Sequence, residues 1–307
     1  MATDHDTKTV LDIVQRSNNY NSDSCWQYDI RQRNRDLDLT DYGFTIDDVK
    51  NLKVDDFQFE FVPKDNKEMA QQIKKFIERH EWLGKMSNYP THYFIAKYNG
   101  ILSGVVIMDM PNAFSKLLGD ETKKIERLIS RGACISWSPK NLASSLIMFA
   151  IKWMVKNTQY RVFTAYSDPE AKELGTIYQA CNFYYLGQNS GTSKQYKVNG
   201  KWHSDRYFRS RSVYKKLAIE NGVKWDNSWV DGDSILWENM NEATASQIKK
   251  ISKDFQNSCQ VRVAPKKHKY LYILDENKKE TKELRMVFAK LNPKLINLAY
   301  PKERGKY

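Results

Sequence analysis

HYFIAKYNGILSGVVIMDMP, residues 92–111, is the stretch on which the fold class turns. Apolar residues alternate on either side of Asn99-Gly100, a dipeptide suited to the positive φ angles of a type I′ turn, so the run predicts an antiparallel hairpin. Upstream, DFQFEFVP (56–63) alternates as a strand, and residues 66–79 set Met69, Ile73, Phe76 and Ile77 at helical spacing. Downstream, a helical linker over 114–128 leads to a short strand from Ser130 to Ile135. Ser138-Pro139, a cap residue followed by a first-turn proline, then opens a helix with Leu142, Leu146, Phe149, Ala150 and Met154 on its apolar face. A buried strand (160–166), a turn at Ser167-Asp168-Pro169, a helix (170–181) and a last strand (183–187) follow. The expectation is an α/β (α+β) protein with a mixed central sheet flanked by helices.

Around this core (56–215) stand a polar N-terminal arm (1–55), expected to drape over it, and a small C-terminal α+β module (216–307). In the module, 221–238 is tryptophan-rich and irregular, 243–255 and 281–291 read as helices, and 261–274 reads as strands. The chain has 307 residues and 41% hydrophobic content, enough for one substantial core. No window holds the roughly 18 apolar residues of a membrane span, and MATDHDTKTV is polar where a signal peptide would be basic and then apolar. A cytoplasmic protein is expected. The four cysteines (Cys25, Cys134, Cys181, Cys259) are far apart without a C-x-x-C pair, and they read as buried free thiols. No metal-ligand spacing, Walker loop or G-x-S-x-G motif is present, so no metal is expected.

The formal charge is +12, which favours an anionic partner. Between residues 193 and 216, Lys194, Lys197, Lys201, Arg206, Arg209, Arg211, Lys215 and Lys216 meet a single acid, Asp205. Tyr196, Trp202, His203, Tyr207 and Phe208 are threaded among them. Interleaved cations and aromatic rings suit a surface that holds phosphates while stacking a base, with DNA as the expected partner; a solvated basic face is the plainer alternative. A second cluster contains Lys267 and Lys269. Trp202, Tyr207 and Phe208 are the expected stacking platform.

The strand and helix order is similar to that of the GNAT acyltransferases, in which two strands splay apart to admit the pantetheine arm of an acyl-coenzyme A. In place of that family's glycine-rich pyrophosphate loop stands Ser138-Pro139-Lys140-Asn141-Leu142-Ala143, agreeing only in its small last residue. Helix N-terminal amides with Lys140 and Asn141 can still hold a pyrophosphate, helped by hydroxyls of Ser144 and Ser145. The segment also reads as an ordinary capped helix. Tyr178-Gln179-Ala180-Cys181-Asn182-Phe183 resembles the Tyr-x-x-x-Gly-Phe motif whose tyrosine protonates a departing thiolate, though such a tyrosine can simply line the helix-sheet seam. RGACISW (131–137), TAYSDPEAKELGTIYQACNFYYLG (164–187) and His80-Glu81-Trp82-Leu83-Gly84 resemble the phage Mom branch, with fainter echoes at Lys267-His268-Lys269-Tyr270 and Tyr300-Pro301-Lys302. Members of that branch modify adenine in DNA with a carbamoylmethyl-type group and so shield it from restriction. An acyl-coenzyme A donor, acetyl-coenzyme A or another, is therefore implied, in host cytoplasm if the protein is phage-encoded.

Acylating the delocalised exocyclic amine of adenine requires orientation and a base. Asp168, ending a central strand, is the first candidate base, or equally a turn and cap residue; Glu81 is the second. Arg131 would bind a phosphate or the acyl carboxamide, or form a structural ion pair with Asp168 or Glu126. Two other readings compete: a GNAT enzyme acting on a protein or small amine, and a nucleic-acid-binding protein without catalysis.

Overall fold

The computed structural model describes residues 24–87, 89–190, 194–232 and 234–302; the first 23 residues of the expected arm lie outside them. In chain order the elements are α1 (Trp26–Arg33), α2 (Arg35–Asp41), α3 (Ile46–Val49), β1 (Gln58–Val62), α4 (Lys67–His80), β2 (Pro90–Tyr98), β3 (Ile101–Asp109), α5 (Thr122–Ile125), β4 (Glu126–Cys134), α6 (Leu142–Asn157), β5 (Val162–Ser167), α7 (Thr176–Ala180) and β6 (Tyr184–Ser190). There follow β7 (Lys194–Val198), β8 (Lys201–Ser204), α8 (Arg211–Glu220), the short β9 (Val230–Asp231) and β10 (Ser234–Ile235), α9 (Glu242–Ser258), β11 (Gln260–Val263), β12 (Lys267–Ile273) and α10 (Lys278–Leu291).

The chain divides into two compact units, one of residues 1–190 with 266–307 and one of residues 191–265. This differs from the expected boundary at 215/216. The reason is β12: expected in an appended module, it stands inside the large sheet, whose order is β1-β2-β3-β4-β5-β12-β6. Tyr270, Leu271 and Ile273 of β12 are buried to that end.

Local chemistry accounts for most of the large unit. The β2–β3 hairpin turns on Asn99 (φ 48°) and Gly100 (φ 80°), both in the left-handed region a type I′ turn demands. Asn66 caps α4 by accepting from the Met69 amide at 3.0 Å, and α4 buries Ile73, Phe76 and Ile77. Among the described residues, the arm contributes Leu39 and Val49 to the core.

The sheet is antiparallel except where β4 meets β5, and that pair holds register only from Glu126↔Val162 to Ile129↔Ala165. Beyond Ile129 the two strands find other neighbours: β4 runs on against β3 to Cys134, and β5 runs on against β12 to Ser167. A physical cause of the parting is visible. In the β3–β4 register Ile107 faces Arg131 and Met108 faces Ile129, so Ser130 is an extra residue, and such a bulge bends its strand. The result is a mixed sheet, opened at its parallel centre.

Three expected boundaries shift. Only Thr122–Ile125 of the expected helical linker is helical, and its last three residues are strand, because β4 begins at Glu126. Helix α6 starts at Leu142, leaving Ser138-Pro139 in the preceding turn, where the Leu142 amide donates to the Pro139 carbonyl at 3.1 Å. The expected helix over 170–181 is a 3₁₀ turn (Pro169–Ala171) and the short α7, separated by left-handed residues Lys172 (φ 56°) and Gly175 (φ 63°).

In the smaller unit β7 pairs with β8 and β11 in a three-stranded antiparallel sheet. Tyr196 packs edge-on to Phe208, which also meets Phe255 of α9, so these rings form the unit's interior. Tyr214, Ala218, Met240, Ala245 and Ile248 form a second cluster there.

Candidate functional site

Where β4 and β5 part, ionisable groups gather. Glu81 follows directly on α4 and is 7% exposed; its carboxylate accepts from the Leu83 amide at 3.0 Å. Burial pushes its pKa up to about 7, against the opposing pull of Arg131, the Leu83 and Gly84 amides and Lys267. Arg131 lies on the part of β4 that has left β5. Its Nε donates to the Lys85 carbonyl at 2.9 Å and an Nη to the Ser130 carbonyl at 2.7 Å. Neither Asp168 nor Glu126 is its partner in these contacts. Glu126 is a buried acceptor for the Ser115 amide (2.7 Å), Ser115 Oγ (2.9 Å) and Thr164 Oγ1 (3.0 Å).

Across the gap, just past β5, the loop 168–175 carries a carboxyl that the sequence reading missed. Glu173 accepts from the Asp168 amide at 3.3 Å, and burial pushes its pKa up to about 8, with the charges of Glu81 and Asp168 acting in the same direction. The loop shape depends on Gly175. A Cβ there would lie 2.4 Å from the Tyr270 ring, and its φ is positive, so any other residue meets both a clash and backbone strain. Tyr270 also donates its hydroxyl to the Leu174 carbonyl. Tyr178 packs against Tyr270 and Phe183, and burial, reinforced by Glu173 and Glu81, holds its phenol above the ordinary value. It is a protonated donor at any physiological pH.

Asp168 itself is committed elsewhere. One oxygen caps the 3₁₀ turn through the Glu170 amide at 3.0 Å and the other pairs with Lys267 at 3.0 Å, so its contacts fit the turn and cap reading. Next along β12, His268 shares a 2.8 Å hydrogen bond with Tyr185. Lys267 and Lys269, expected to serve a nucleic-acid surface, thus stand on the large sheet, Lys269 over the Tyr166 ring at 5.6 Å. They belong to a different unit from the Lys194–Lys216 run.

At the start of α6, Lys140 and Asn141 are exposed, and Ala143, Ser144 and Ser145 are partly so. Ser144 returns its hydroxyl to the Asn141 carbonyl at 3.0 Å. Ser138 is 5% exposed, and its Oγ has no hydrogen-bond partner among the described residues. The cysteines are free thiols; burial pushes Cys134 up to about 12 and Cys181 up to about 11, which makes both poor nucleophiles.

The basic run of the smaller unit sorts by face. Lys194, Lys197, Lys201, Arg206 and Arg209 are exposed, Arg209 pairing with Asp205, while Arg211 donates to the Gly232 carbonyl. Trp202 lies under Arg262 (4.5 Å) and Lys197 (5.8 Å). Phe208 is 2% exposed and Tyr207 stacks near His203 at 4.2 Å. The expected three-ring platform is therefore corrected. Phe208 is core, and in the register Trp202 opposes Lys197 while His203 opposes Tyr196, so Trp202 is on the sheet face opposite His203.

Together these features define a mixed α/β protein with a buried carboxyl, Glu81, a half-buried one, Glu173, and a phenol near the place where its sheet opens. The model of the Mom protein family matches residues 67–294, most of the chain, and the chain belongs to that family. A search of curated proteins finds no match. Among solved structures the chain is similar to yncA of Salmonella typhimurium with its cofactor acetyl-CoA (14% identity, 48% of this chain and 88% of that one, TM-score 0.33). It is also similar to a GNAT family acetyltransferase of Elizabethkingia anophelis with acetyl-CoA bound (14%, 49% and 94%, TM-score 0.30). A third is the Bacillus subtilis acetyltransferase in complex with CoA (10%, 71% and 99%, TM-score 0.31). Among the described residues no helix is long and apolar enough to cross a membrane.

Proposed function

We propose that the protein transfers an acyl group from an acyl-coenzyme A-type donor to an exocyclic amine of a DNA base, adenine first, and thereby shields DNA from restriction in a host cytoplasm. The observation that carries the reading is the gathering of two carboxyls raised by desolvation, buried Glu81 and half-buried Glu173, with the protonated phenol of Tyr178 where the strands part, in a chain of the Mom family. The splayed β4 and β5 offer unpaired strand edges to a pantetheine arm, and Lys140, Asn141 and the first amides of α6, with Ala143, Ser144 and Ser145 beside them, suit its pyrophosphate. Bound there, the donor supplies an activated thioester. Glu81 (about 7) or Glu173 (about 8), in its ionised form, takes the proton released as the amine attacks, a role for which a value close to the working pH is favourable. Tyr178 holds at its Oη the proton the leaving sulfur needs, and Arg131 orients the acyl group's polar end. Asp168 fixes the loop carrying Glu173.

The exposed cations of residues 194–216, with Trp202 beside them, suit the phosphates and bases of a nucleic acid, and an amine inside a duplex has to be extruded before it reacts. Arg206, Tyr207, Arg209 and Arg211 border this surface. A second reading, acylation of a protein or small amine, is favoured by the concentration of carboxyls around the site, which would attract a cationic acceptor. Radiolabelled acetyl-coenzyme A offered with duplex DNA, single-stranded DNA, spermidine and a lysine peptide in one competition separates the two. Label in DNA supports the proposal; label confined to spermidine or the peptide overturns it.

A further inference from the structure

The N-terminal helices α1 and α2 precede Lys67, where the family match begins, yet they hold both segments on which the proposed chemistry depends. A helix leaves its last carbonyls without partners, and those of α4 are met from here. Asn34 Nδ2 donates to the Arg79 carbonyl at 2.8 Å and Gln27 Nε2 to the His80 carbonyl at 2.6 Å. The same Gln27 side chain accepts the Trp82 amide at 3.0 Å, so one amide group brackets Glu81 on both sides. Trp26 backs this contact edge-on to Trp82 at 5.4 Å.

The second segment is the turn that opens α6. The planar guanidinium of Arg31 spans two of its carbonyls, donating from Nε to Ser136 at 2.8 Å and from an Nη to Ser138. Asp38, with no exposed surface, accepts the Ser136 amide at 3.1 Å and is itself paired with Arg79 at 2.6 Å. A side chain that grips two carbonyls fixes the turn's orientation as well as its distance, and lysine, a single point donor, does not reproduce that.

We infer that Gln27 and Arg31 are positioning residues of the active site: Gln27 sets the Glu81 carboxyl and Arg31 sets the turn from which α6 presents its N-terminal amides. The brace ties the two halves of the reaction, proton removal and donor binding, to one short N-terminal segment. The assignment of catalytic consequence rests on the proposed function above; the bracing of the two segments stands without it.

The test uses full-length Gln27→Ala and Arg31→Lys, each with its melting temperature, coenzyme A affinity by calorimetry and steady-state kinetics. Gln27→Ala is expected to lower kcat by about 10-fold to 10²-fold, the scale of a slight misplacement of a reacting group, with coenzyme A affinity unchanged. Its pH profile should shift to lower pH as water reaches Glu81. Arg31→Lys is expected to weaken coenzyme A binding about tenfold, with kcat nearly unchanged, on the scale of one charge-assisted hydrogen bond. Hydrogen exchange without any donor should quicken at Trp82 and Leu83 in the first variant and at 136–143 in the second. Wild-type kinetics and affinity in both variants, or equal losses in kcat and affinity that track melting temperature, would overturn the inference. If the wild type binds no coenzyme A, the proposed function fails, and unchanged exchange at both segments would then remove the brace as well.

Discussion

In the large unit the charges that matter are drawn inward, whereas in residues 191–265 they stand in water. Desolvation raises Glu81 to about 7 and Glu173 to about 8, the charges of Glu81 and Asp168 adding to the rise of Glu173. Lys194, Lys197 and Lys201 are exposed on the strands of the small sheet, and Trp202 sits beneath two cations instead of in a core. Desolvation tunes a group for proton transfer at the expense of its charge, and solvation keeps a charge available for phosphates at the expense of any tuning. One chain thus separates chemistry from capture.

The comparison breaks most sharply if the carboxyls are removed. Glu81→Gln with Glu173→Gln should lower acyl transfer by about 10²–10⁴ while leaving DNA affinity intact, read by single-turnover kinetics and a binding titration. A comparable loss of DNA affinity would erase the distinction between the units. Tyr178→Phe should cost about 10² in turnover with the fold unchanged; full activity would reduce Tyr178 to a packing residue.

The complementary change is in the smaller unit. Lys194→Glu, Lys197→Glu and Lys201→Glu together should reduce DNA affinity by about 10²-fold and lower the slope of log affinity against log salt by about 3, with coenzyme A binding unaffected. A slope equal to wild type would take these lysines off the phosphates. Within the same unit, Phe208→Ala should destabilise by about 3–5 kcal/mol, as for a buried aromatic ring, and Trp202→Ala by about 1 kcal/mol or less, a contrast that thermal melts would register.

A smaller effect concerns pH. Two carboxyls with folded values raised above the ordinary 4.5 bind more protons folded than unfolded, so stability falls as pH rises from about 4.5 toward about 8. The double Gln variant should flatten that decline in melts across the range. In the wild type, kcat/KM should rise through the same upper window as the base ionises, and a pH-independent kcat/KM would exclude both carboxyls as the base.

Much of the large sheet is legible in the sequence because its signals are local: the Asn99-Gly100 turn, the α4 periodicity, and the apolar strand read at 160–166 and found at Val162–Ser167. The place of β12 is not, since KYLYIL reads as a strand wherever it stands and only long-range pairing with β5 and β6 decides the sheet. Glu173 was missed for a related reason. A single helix over 170–181 does not single it out, although Gly175 is a break signal; left-handed Gly175, packed against Tyr270, shapes the loop that carries it. Phe208 reads in sequence as a stacking ring because charge surrounds it; its partners Tyr196 and Phe255 lie 12 and 47 residues away along the chain.

The most direct measurement of the account is mass spectrometry of nucleosides from DNA of cells expressing the wild type and the Glu81→Gln, Glu173→Gln protein. A modified deoxyadenosine in the first and only unmodified nucleosides in the second is the predicted result. Unmodified DNA in both, with acylated protein or small amines accumulating only in the wild type, would contradict it.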